Sequence, residues 1–96
     1  MTITLDTHIN IPEDIYTQKV DDETILLDVE SGKYFGLDPV GTRMWQLLRQ
    51  HGALRPTYET ILEEYDVTPE RLETDLIALV EKMVDRGLAK VQSDTE

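Results

Sequence analysis

Ninety-six residues allow one domain with one modest core and leave little room for a buried active site. The absence of cysteine excludes disulfides, thiolate nucleophiles and cysteine metal sites, and no apolar run approaches the roughly 18 residues that a membrane span needs. A net charge of −11, with nine Lys and Arg scattered singly, excludes the basic patch on which nucleic-acid binding rests; it suits a basic peptide or protein partner, or plain solubility.

Residues 1–14 alternate at Ile3/Leu5 and Ile9/Ile11 before Pro12 and read as a loosely attached strand or an N-terminal arm. They carry neither the basic region nor the long apolar core of a signal peptide, so a cytoplasmic protein is expected. Residues 15–91 read as the folded domain and residues 92–96 as a disordered polar tail. A first strand is expected over Ile15–Val20, then a polar turn at Asp21-Asp22-Glu23 and a β-branched central strand over Thr24–Val29. Glu30-Ser31-Gly32 turns the chain into a third strand, Lys33–Leu37. A three-residue loop with Gly32 left-handed predicts Leu27 opposite Phe35 and Ile25 opposite Leu37, which makes one apolar face.

Three helices follow. Asp38 caps the first through its carboxylate, and Pro39 fits the first helical position, where no intrahelical partner is needed. This helix runs to about Gln50 with Gly52 as its stop. Gly41, Trp45 and Leu48 share one face, and the only tryptophan marks the core. Thr57, after Pro56, caps a second helix through Tyr65, and Thr68-Pro69-Glu70 opens a third that ends at Gly87, with Leu88 folding back on Met83. On the third helix Leu72, Leu76, Leu79, Val80 and Met83 cover an arc of roughly 100°, and Ile77 and Val84 widen it by about 60° on one flank. Such a flank calls for cover, from the N-terminal arm or from outside. The class expected is α+β, a three-stranded antiparallel sheet packed on a three-helix bundle, winged-helix-like.

Chemistry finds no convergent groups. His8 and His51 have no second ligand at a helical spacing, the carboxylate runs Asp21-Asp22-Glu23 and Glu63-Glu64-Asp66 sit in turns or on polar faces, and glycines occur singly. No metal, cofactor or catalysis is expected. A winged helix suggests DNA, but the third helix carries Glu70, Glu73, Asp75, Glu81 and Asp85, which repel phosphate. The remaining class is an interaction module. Lys33–Leu37 is expected at a sheet edge with Gly36 leaving it bare, a template for an added peptide strand, and Ile77 and Val84 are expected to form the second wall of a groove. Homodimerisation through the same edge, as a structural or regulatory subunit, is the alternative.

The run from Ile25 to Leu48, I-L-L-D-V-E-S-G-K-Y-F-G-L-D-P-V-G-T-R-M-W-Q-L-L, resembles the PqqD-like proteins, or RiPP recognition elements. Their pattern is a hydrophobic strand, an acidic-glycine turn, an aromatic strand, Asn/Asp-Pro-x-Gly and a tryptophan helix, and the resemblance extends over about residues 15–91. It implies a domain without DNA binding that holds the leader of a precursor peptide as an extra strand on the third strand and delivers it to a modifying enzyme or leader peptidase. Carried onto this chain, the backbone of Lys33, Tyr34, Phe35, Gly36 and Leu37 pairs with the leader. Tyr34, Phe35, Leu76, Ile77, Val80 and Val84 supply pockets, and Glu73 and Glu81 meet basic leader residues. Within the family the chain most resembles the free-standing leader-binding proteins of lasso-peptide biosynthesis.

Overall fold

Alternating apolar residues and tight turns fold the first half of the chain into a meander, and capped amphipathic segments fold the second half into helices. In a computed structural model, residues 2–13 and 15–92 are described. The order is β1 (His8–Asn10), β2 (Ile15–Val20), β3 (Glu23–Asp28), β4 (Tyr34–Leu37), α1 (Pro39–His51), α2 (Leu54–Glu64), α3 (Pro69–Asp85) and β5 (Lys90–Gln92). β2, β3 and β4 form an antiparallel sheet in that order, packed on the three helices. The α+β class expected from the sequence is the one observed.

The β3–β4 register differs from expectation by one residue. Leu26 lies opposite Phe35, Leu27 opposite Tyr34 and Thr24 opposite Leu37. The turn starts earlier, at Asp28, because an aspartate there holds the turn better than it extends the strand. Its carboxylate accepts from the Glu30 N–H at 3.2 Å and from the Ser31 hydroxyl at 2.9 Å, and its carbonyl accepts from the Gly32 N–H at 2.8 Å. Gly32 is left-handed, as expected, with φ 75°. The shift puts Leu26, wholly buried, on the core face and leaves Ile25 exposed on the outer face.

The helix boundaries follow the caps. The Gly41 N–H donates to Asp38 Oδ1 at 2.7 Å to open α1, and Gly52 closes it in the left-handed region. α2 starts three residues before the expected cap, at Leu54. Pro56 is accommodated because the first turn has no intrahelical N–H partners to lose. Thr57 lies inside the helix, buried, and its hydroxyl donates to the Ala53 carbonyl at 3.0 Å. α3 opens with the Arg71 N–H donating to the Thr68 hydroxyl. It closes with Leu88 N–H on the Met83 carbonyl at 2.8 Å and Gly87 N–H on Val84 at 3.1 Å, the paired bonds of a Schellman ending.

The N-terminal arm is strapped down rather than loose. β1 pairs antiparallel with β5, and Ile3, Leu5 and Ile9 are buried in the same core as Trp45, Leu48 and Leu76. Backbone bonds from Ile9 to Gly52 (2.9 Å) and from Leu54 to Thr7 (3.2 Å) tie it to the α1–α2 turn. Gln92 ends β5, and the rest of the expected polar tail, 93–96, lies outside the described residues. Arg43 joins α1 to α2 by a two-pronged pair with Glu64, Nε to Oε1 at 2.9 Å and Nη2 to Oε2 at 2.7 Å.

Candidate functional site

The register decides which backbone groups of β4 are available. The Asp28 N–H donates to the Lys33 carbonyl at 2.9 Å, and antiparallel bonding alternates from there. Phe35 and Leu37 therefore spend their N–H and C=O groups on Leu26 and Thr24, whereas Tyr34 and Gly36 turn theirs to the other side. Among the described residues no strand lies on that side. A Cβ built on Gly36 meets nothing within 4 Å, so the edge is sterically open. Side chains alternate the same way: Phe35 and Leu37 point to the helices, while Tyr34, 70% exposed, joins Tyr16 and Leu27 in a row across the outer face.

Beside this edge runs α3, antiparallel to β4. Its C-terminal end meets the start of β4, where the Arg86 guanidinium lies 4.9 Å from the Phe35 ring centroid and Asp85 shares a shallow depression with Gly32, Lys33 and Tyr34. Its N-terminal end meets the end of β4, where Thr68 and Arg71 join Leu37 and Asp38 around a groove of about 770 Å³. The apolar lining is Phe35 and Leu37 from β4, Val40 and Met44 from α1, Val67 from the α2–α3 loop, and Ala78 and Leu79 from α3. Asp38, Asp66, Arg71, Asp75 and Lys82 supply its charge, with Arg71 Nε 3.3 Å from Asp75 Oδ2.

Of the residues expected at the site, Tyr34, Phe35, Gly36 and Leu37 form the edge, and Lys33 directly precedes it. The expected α3 residues divide between different faces of the helix. Leu76 and Val80 have no exposed surface and lie in the core beneath the helix face. Glu73, Ile77 and Glu81 lie with Glu70, Thr74 and Ala78 in a separate shallow depression, so the two carboxylates do not line the groove. Val84 packs half-buried against the core and lines neither. The cause is the rotation of the helix. Arg71, Asp75, Ala78 and Lys82 recur at spacings of four, three and four and face the groove; Ile77 and Val84 stand about 130–150° round the axis from that stripe. The stripe is readable in the sequence, but its mixed polar character hides it from a search for apolar flanks.

Among the described residues, the ion pair between α1 and α2 shifts the titration of both its members. The hydrogen bond from Arg43 holds the Glu64 carboxyl below its ordinary range, and the same bond raises Arg43. Among the described residues no group of three or more His, Asp or Glu is placed to hold a metal, and no helix is long and apolar enough to cross a membrane.

A three-stranded sheet with one edge open beside a helix-walled apolar groove is the architecture of a strand-adding peptide binder. The sequence profile of the PqqD family, described as Coenzyme PQQ synthesis protein D, matches residues 23–89, well over half of the chain. This chain belongs to the PqqD family. Two solved structures are similar. The first, TbiB1 in complex with the TbiA(beta) leader peptide, is 30% identical with a TM-score of 0.75, covering 90% of this chain and 98% of that one. The second, a lasso peptide synthetase B1 complexed with the leader peptide, is 26% identical with a TM-score of 0.75, covering 85% and 96%. No curated protein sequence gives a significant match.

Proposed function

We propose that this chain is a non-catalytic carrier that binds the leader segment of a ribosomally made precursor peptide by adding it as a further strand to β4. In this reading it presents the precursor to a separate modifying enzyme or leader peptidase in the cytoplasm, as part of natural-product biosynthesis of the lasso type. Residues 15–91 act as the leader-binding unit, with residues 1–14 as the arm that braces it. The observation that carries the reading is the open edge of β4, where Tyr34 and Gly36 offer backbone donors and acceptors alongside the groove. Two similar proteins are solved as leader-peptide complexes, which supports it.

An added strand sends alternate side chains into the groove, towards Phe35, Met44 and Leu79, and the others to the outer face beside Tyr34. Backbone bonds set the register, and the two or three inward side chains supply selectivity. An affinity between micromolar and nanomolar is expected, about −8 to −12 kcal/mol. The test is a polarisation titration of fluorescein-labelled TbiA(beta) leader peptide into the purified chain. Saturable binding at or below micromolar concentration is expected; no saturable binding refutes strand addition of this leader and leaves the fold untouched.

A further inference from the structure

The groove is not uniformly charged. Although the chain carries −11 overall, Lys82 lines the groove and Lys33 and Arg86 line the adjoining depression where α3 meets the start of β4, with Asp85 in that depression and Asp28 beside Gly87 as acidic neighbours. Lys82 and Arg86 are one helical turn apart on the same side of α3, and Arg86 is held against the Phe35 ring at 4.9 Å. The opposite end has the reverse sign. Asp38, Asp66 and Asp75 line it, and its one cation, Arg71, is already engaged by Asp75 at 3.3 Å.

We propose that this polarity selects the ligand: the bound strand carries an acidic side chain at the Lys82–Arg86 end and a neutral or basic one at the Asp38–Asp66 end. The proposal rests on strand addition to β4 and names the chemistry of what is added. Arg71 to Arg86 spans about 22 Å of helix, the length of about six or seven extended residues. Both charge-reading positions must point into the groove, so they share the parity of the apolar anchors and stand an even number of residues apart. Opposite charges at the two ends also disfavour the strand laid in the reverse direction, because reversal brings acid to acid and base to base.

The test scans the labelled TbiA(beta) leader, replacing each residue in turn with Glu and with Lys, and titrates every peptide against the wild-type chain and Lys82→Glu. At one end of the bound segment Glu is expected to bind about tenfold more tightly than Lys, with a gap that shrinks in high salt. In Lys82→Glu that preference is expected to invert at the same positions. Equal binding of Glu and Lys peptides at every position, or a preference unchanged in Lys82→Glu, overturns the charge selection while leaving strand addition in place. A wild-type chain that binds none of the peptides removes strand addition of this leader, and the charge selection with it.

Discussion

Replacing Gly36 with proline separates the role of β4 in the fold from its role as a docking edge. In the observed register the Gly36 N–H points away from β3 and takes no part in the ladder, and a Cβ at this position meets no atom within 4 Å. Proline is tolerated on an edge strand where its missing N–H faces solvent. The residue before it, Phe35, is already extended, as the ring requires. The variant therefore keeps the fold, and loss of glycine's freedom in the unfolded chain offsets part of any strain in φ.

Binding fares differently. An added strand loses one backbone hydrogen bond, worth about 0.5–1.5 kcal/mol net, and the peptide carbonyl that accepted it is left against the pyrrolidine ring, at about 1–3 kcal/mol. These overlap, so a loss near 2 kcal/mol is expected, roughly a 30-fold rise in Kd. The assay is the leader titration, run beside a thermal melt. Phe35→Pro is the control, since it deletes an N–H that the ladder uses and removes the ring from under Arg86; it should unfold the sheet. If Gly36→Pro melts like wild type and binds the leader with wild-type affinity, the peptide does not add to β4 and the proposed mechanism is wrong.

Leu79→Ala should weaken leader binding by about tenfold, from the roughly 1–2 kcal/mol of apolar burial a strand in the groove would add, whereas Ile77→Ala should leave it unchanged. Both side chains pack half-buried on the same core, so their stability losses should be similar and only binding should tell them apart. Trp45→Ala, at a ring only 2% exposed, should cost about 3–5 kcal/mol, visible as a large fall in melting temperature; an unaltered melt would refute its place in the core. Glu64→Gln should lower stability at neutral pH and lose that difference in acid. The depressed carboxyl contributes above its unfolded pKa, and the contribution disappears as pH falls through the folded value. Melts of the two proteins that stay apart at low pH would count against the Arg43 hydrogen bond as the cause.

Local signals carried much of this fold. The caps at Asp38 and Thr68, the stops at Gly52 and Gly87 and the fold-back of Leu88 each depend on a few neighbouring residues, and each is found where the chain predicts it. What escaped was set at a distance. The alternation around Ile9 allows a strand, but its partner β5 lies some eighty residues later and nothing near His8–Asn10 announces that pairing. The start of α2 escaped because Leu54, buried without a side-chain cap, is held by packing rather than by terminus chemistry.

Two differences from expectation lie around the site. Hydrophobic pattern favoured Ile25 and Leu27 opposite Leu37 and Phe35, whereas the Asp28 side chain, by starting the turn early, set Thr24 and Leu26 there instead. The shift changes which β3 residues face inward and leaves β4 as expected, with Phe35 and Leu37 inward and the backbone groups of Tyr34 and Gly36 towards the open edge. On α3, an apolar flank suggested a binding wall at Ile77 and Val84, yet the wall that faces the edge is the mixed stripe of Arg71, Asp75, Ala78 and Lys82 beside Leu79. A face that must stay wet until a ligand arrives is built with charge at its rim, and a fully apolar flank next to an unpaired strand would be an aggregation hazard. The apolar flank and the charged stripe are thus two different faces of α3, and the stripe is the one that lies beside the edge.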